Sequence, residues 1–290
     1  MTPIDDRRRP RRSAPSVEAD REEADRVERK TTPRTPVIYE TVRRSGEEEM
    51  GRPVVSLWWS GLAAGLSISF SMLVPAVLYS HLPESSWRQL VVALGYPIGF
   101  LIVILGRQQL FTENTLTVVL PVVAKFSWTS LGKAGRLWAI VLTANLTGTL
   151  IAALFSTYTP VIDAELREAV LAVSRHAVLH PPVDTLLRGI TAGYLMAALV
   201  WLLPAAAASQ FLVISAITYV IGVSGTAHVV AGSAEAFMLV LAGELAPLKM
   251  VTSFALPALA GNIIGGTALF ALIAHAQVMN EIEPDESRSD

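Results

Sequence analysis

The sequence predicts an all-α membrane protein of six transmembrane helices, arranged as an inverted 3+3 repeat in which the second and fifth helices are broken near their middles. Three observations carry this: composition, two apolar runs too long for one crossing, and short motifs recurring in the same order in both halves. The chain is 52% hydrophobic and 17% charged, and most of the charge is crowded into its ends. With a mean hydropathy of +0.46, that is a membrane-protein composition. A net charge of −2 leaves no basic face, so no nucleic-acid partner is expected. The absence of cysteine excludes disulfides and thiolate metal sites. No apolar signal core is seen before the first long apolar run, so membrane insertion is expected to use that run.

Residues 1–52 alternate Arg, Lys, Asp and Glu with few large apolar side chains, which predicts a charged, mostly disordered tail. Within it Ser16–Lys30 can form a solvated helix with pairs such as Glu22–Arg26. The pore domain is expected over residues 53–276. A crossing needs about 20 apolar residues, and the first span reads as Val54–Tyr79. The next run, Leu90–Phe126, is overlong and carries the polar insert Gly106–Thr115. Such a run reads as two half-helices around irregular backbone that is buried in protein or lines a cavity. The third span is Leu137–Thr157. Val161–Pro182, with Ile162, Leu166, Val170 and Val173 on one face, reads as a helix lying at the membrane interface. Thr185–Ala207, the broken Ser209–Leu241 and Met250–Ala276 complete six spans, and residues 277–290 form an acidic tail. Arg43, Arg44, Arg52, Lys125, Lys133 and Arg136 place both termini in the cytoplasm, against Arg167, Arg175 and Arg188 on the other side.

The halves can be overlaid. Gly61 and Gly65 in the first span match Gly189 and Gly193 in the fourth, and Asn145-Leu-Thr-Gly148 in the third matches Asn262-Ile-Ile-Gly265 in the sixth. Three crossings separate the halves, so their topologies are opposite and the two breaks should meet near the midplane. The second break lies in Ile217–Gly232, where Gly222 and Gly225 interrupt the run. From Phe211 to Leu241 only His228 and Glu235 are ionisable. An ionisable group in a membrane is costly and usually functional, so His228 reads as a pathway residue rather than a packing histidine. The face of Glu235 is left open by the sequence. Arg107 and Glu113 are close enough in sequence to form an ion pair clamping the first break.

Gly106 followed by Leu110-Phe111-Thr112 and Asn114, the stretch Arg188–Leu202, and Gly225-Thr-Ala-His228-Val-Val-Ala231 together make residues 53–276 resemble the formate/nitrite transporter family. The resemblance implies an aquaporin-like protomer, a homopentamer in the inner membrane with one pore per protomer, and passage of small monovalent anions or their conjugate weak acids, often with a proton. It assigns Leu110, Phe111, Thr112 and His228 to the pore constriction. Counted without gaps from these anchors, Tyr96, Phe100, Met196 and Ile221 join them. No cofactor, metal or covalent chemistry is implied. The chain departs from the family pattern at Gln109 and Glu113, which flank Leu110–Thr112, at Gly193, and at Ala177, which stands beside Arg175 and His176 where a lysine is typical. Physically, the neutral weak acid crosses an apolar ring far more cheaply than its anion. A His228 neutral at rest and Thr112 then offer hydrogen bonds at the narrow point. A neutral-solute channel of the same fold should carry Asn-Pro-Ala in both breaks, and neither has it. A non-transporting scaffold acting through the charged tail is the other alternative.

Overall fold

The computed structural model of the protein describes residues 33–282, and over these residues the chain is helical and joined by short turns. Its first element corrects the sequence expectation. Thr35–Gly51, expected to be disordered, forms helix α1, on which Tyr39, Val42, Gly46 and Met50 are buried. These recur every three or four residues, so they make one apolar stripe. The charges that suggested disorder occupy the rest of the surface, where Glu40 pairs with Arg43 at 2.7 Å and with Arg44 at 2.6 Å. The Arg43 guanidinium bonded to Glu40 holds that carboxyl down at about 2. The expected helix Ser16–Lys30 lies outside the described residues. At the other end, helix structure continues through Ile282, into the stretch expected as an acidic tail, whose remaining residues are likewise outside.

Among the described residues five helical stretches are long and apolar enough to cross a membrane: Val54–His81, Arg88–Leu105, Trp128–Tyr158, Pro182–Leu202 and Pro247–Met279. The first is α2 (Val54–Ile68) and α3 (Phe70–His81), joined at Ser69, whose hydroxyl donates back to Gly65 O at 2.9 Å. Such back-bonding bends helices. The second stretch begins as α4 (Arg88–Val92) and ends as α5 (Pro97–Leu105). Two short helices follow, α6 (Phe111–Thr117) and α7 (Val119–Ala124). Helix α8 (Trp128–Tyr158) is opened by a capping box between Ser127 and Ser130. Helix α9 (Ala164–Val178) is capped by Asp163, which accepts from Leu166 N at 2.8 Å, and it packs on α3. Then come α10 (Pro182–Leu202), α11 (Gln210–Val223) and α12 (Val229–Leu241). The last stretch holds α13 (Leu256–Ile263) and α14 (Leu272–Ile282), with π-turns at Met250–Ala255 and Ile264–Ala271.

Two close crossings organise the domain, α2 on α8 and α10 on α13. At each a glycine is required. A Cβ on Gly65 would stand 2.2 Å from Asn145 O, and one on Gly193 would stand 2.3 Å from Asn262 O. Helices in lipid associate through such backbone contact, because burial of apolar surface drives nothing between them there.

Candidate functional site at two helix breaks

Helical order fails between Leu105 and Phe111, and again between Val223 and Val229. In the first break the left-handed residue is Arg107 (φ 50°), and in the second it is Gly225 (φ 62°). Gly106 and Gly222 do not act as breakers. Gly106 caps α5 with helical dihedrals, and Gly222 is still inside α11, where a Cβ would meet the Tyr96 ring at 2.9 Å.

Broken backbone in a membrane needs partners for its freed N–H and C=O groups. One asparagine serves each break. Asn145 donates from Nδ2 to Gly61 O and to Gln109 O, both at 2.8 Å, and its Oδ1 accepts from Phe111 N at 2.9 Å. Asn262 donates to Gly189 O at 2.9 Å and to Ala227 O at 2.8 Å, and its Oδ1 accepts from Val229 N at 2.9 Å. The sequence showed both asparagines as a repeated motif but not this task.

The breaks meet at one contact, His228 Nε2 to Thr112 Oγ1 at 2.7 Å, with both residues buried. His228 also caps α12, its Nδ1 accepting from Ala231 N at 3.1 Å. In neutral imidazole the accepting nitrogen carries no proton. Nε2 therefore carries it and donates to Thr112, whose own hydroxyl proton is left to point elsewhere. The Phe100 ring stands perpendicular to His228 with centroids 5.1 Å apart, and Tyr96 stacks beyond it at 5.3 Å.

Of the residues expected at a constriction, Tyr96, Ile221 and His228 line a cavity of about 70 Å³. A water needs about 10–15 Å³. The cavity wall also includes Ser71, His176, Ala177, Glu235 and Phe254. Leu110, Phe111, Thr112, Phe100 and Met196 are buried outside that wall. The Phe111 ring packs edge-on against Trp138 at 5.7 Å, and Trp138 in turn donates to Asn114 O at 3.1 Å.

The expected Arg107–Glu113 ion pair does not form among the described residues. Arg107 is exposed, and Glu113 Oε1 is buried without a partner. Gln109 ties the loop instead. It donates from Nε2 to Glu49 Oε2 of α1 at 2.6 Å and from its backbone N–H to Ser60 Oγ at 3.0 Å, and it accepts from Asn114 Nδ2 at 3.2 Å. At the second break Arg188 Nη1 donates to Gly225 O at 2.6 Å. Near the end of α9, Arg175 grips Glu244 with two bonds of 2.6 Å, and this holds the Glu244 carboxyl below its usual range.

Comparison with known proteins gives consistent matches. The sequence profile of the family described as "Formate/nitrite transporter" matches residues 36–276. The chain is 42% identical over 249 residues to Inner membrane protein YfdC of Escherichia coli (strain K12), covering 86% of this chain and 80% of that protein. It is 28% identical over 156 residues to Formate channel FocA of Haemophilus influenzae, covering 52% and 54%. Among solved structures, a "Pentameric formate channel with formate bound" aligns with a TM-score of 0.67 at 20% identity, covering 78% of this chain and 98% of that one. At that identity the likeness concerns the fold.

Proposed function

The chain belongs to the formate/nitrite transporter family, and on that premise we propose that each protomer passes small monovalent anions, or their conjugate weak acids, through a proton-linked pore at the His228–Thr112 contact. The observation that carries this reading is that contact itself: two buried polar side chains, one beside each helix break, bonded to one another with the Phe100 ring packed on His228. A bare anion there would be uncompensated. We read the permeating species at the narrow point as the neutral acid, which exchanges its bonds to water for bonds to Nε2–H and the Thr112 hydroxyl. Because Nδ1 is engaged by Ala231, protonating His228 would break the α12 cap. His228 therefore acts as a fixed donor, and the proton travels with the solute.

The same reading takes the two asparagine-held breaks as the middles of an inverted 3+3 repeat, each pair of half-helices counting as one of six crossings. It takes the assembly as a homopentamer, as in the formate channel of like fold, in the bacterial inner membrane with both termini cytoplasmic. Leu110, Phe111, Met196, Tyr96 and Ile221 complete its apolar pathway. The test is flux into liposomes of formate, lactate, nitrite and hydrosulfide across a pH series. Flux above protein-free liposomes that rises on acidification is expected. A protein that conducts none of the four does not work this way.

A further inference from the structure

Glu235 is buried on the cavity wall, seven residues beyond His228 on α12. Seven residues are about two turns, so both side chains share a face, roughly 10 Å apart along the axis. Among the described residues Glu235 has no hydrogen bond and no ion pair, although buried polar groups nearly always have a partner. The titratable groups facing the same cavity are Tyr96 from the turn before α5, His176 from α9 and His228 from α12 itself. Helix α3 contributes Ser71 and Pro75 there, and the Met250–Ala255 turn contributes Phe254. No Lys or Arg lines it. An ionised carboxylate so placed, without a cation, would be strongly disfavoured, so Glu235 holds its proton at rest. It is then an acid facing the space from which a solute reaches His228.

We propose that Glu235 is the proton-exchange residue of this vestibule, protonating a monocarboxylate anion before it passes His228. This rests on the transport reading above. In the step, the Glu235 O–H bond breaks as an O–H bond forms on a solute oxygen. The Glu235 carboxylate then recovers a proton from hydronium carried by water in the cavity, and no electrons change owner. A solute carboxylate drawn into the same space is disfavoured as an anion for the same reason as the Glu235 carboxylate, so the transfer exchanges one poorly compensated carboxylate for another and runs between groups of similar basicity. The neutral acid meets Nε2–H and the Thr112 hydroxyl next.

Formate flux into liposomes, measured for wild type and Glu235→Gln from about pH 7.5 to about pH 4.5, tests this, with assembly checked by size exclusion. At the upper pH formate arrives as the anion, whereas at the lower an appreciable share arrives already protonated, since ordinary carboxyl groups titrate near pH 4. Glu235→Gln should lose about tenfold or more at the upper pH and come within about twofold of wild type at the lower. Glu235→Asp, which keeps an exchangeable proton, should retain the wild-type profile at a reduced rate, and it serves as the test should the Gln variant not assemble. The same fractional loss at every pH, no loss at any pH, or an altered profile in the Asp variant would overturn the proposal. Absence of wild-type formate flux at every pH would sink the transport reading and this inference with it, whereas failure of Glu235 alone leaves wild-type flux intact.

Discussion

The two helix breaks are alike in what holds them and unlike in what surrounds them. Each is spanned by one asparagine making the same three bonds to a glycine carbonyl, a loop carbonyl and the first N–H of the following half-helix. Beyond that the first break is tied to α1 through Gln109 and Glu49, whereas the second is tied to Arg188 and faces the cavity through His228 and Glu235. A shared frame keeps irregular backbone satisfied in the protein interior. The differing residues around it leave one break to anchor the N-terminal helix and the other to line the cavity.

The comparison breaks most visibly if the frame is not shared. Asn145→Ala and Asn262→Ala each strand two backbone groups of a break, the loop carbonyl and the first N–H of the following half-helix, at about 1–3 kcal/mol per group. Both should lose assembled protein and thermal stability in detergent to a similar degree. Tolerance of one and not the other would show that the frames are not equivalent. A smaller effect sharpens the difference between the breaks. Gln109→Ala removes the link to Glu49 and should cost about 1–3 kcal/mol, raising hydrogen exchange in Thr35–Gly51 while leaving Val229–Leu241 protected. Equal exchange increases in both segments would contradict the separate anchoring of the first break.

The smallest effect belongs to the rim. Glu244→Gln should cost less than about 1 kcal/mol, because exposed pairs are well screened. Arg175 depresses the Glu244 carboxyl, so the pair's contribution is present above the ordinary carboxylate range and is lost as pH falls through the folded value. The difference in melting temperature between wild type and variant should therefore close on acidification. A difference that persists in acid would mean the side chain acts through packing rather than charge.

Much of this comparison was legible in the sequence, for physical reasons that also explain what was not. The motifs around Gly65, Asn145, Gly193 and Asn262 stand out because close helix contact admits only small residues there. Gly225 is readable as a break since glycine takes a positive φ freely, whereas Arg107 in the same conformation is not, because side chains rarely adopt it. The pairing of Arg107 with Glu113 follows from sequence distance alone, which does not reveal that Arg107 is exposed. Helix α1 was hidden by its charges, although the spacing of Tyr39, Val42, Gly46 and Met50 was there to be read. Glu235 could not be assigned a face until α12 had a start, and that start is set by the His228 cap.

The most direct test of the account is formate flux per intact assembly through His228→Phe, with thermal stability measured on the same purified sample. Phenylalanine keeps a ring in the site but removes the donor to Thr112 and the acceptor for Ala231. A neutral acid that finds no donor there is left with a desolvated polar group unsatisfied, at about 1–3 kcal/mol, so flux should fall roughly tenfold while the assembly survives, with a loss of about 1 kcal/mol from the missing cap. Wild-type flux through a stable His228→Phe assembly would contradict it.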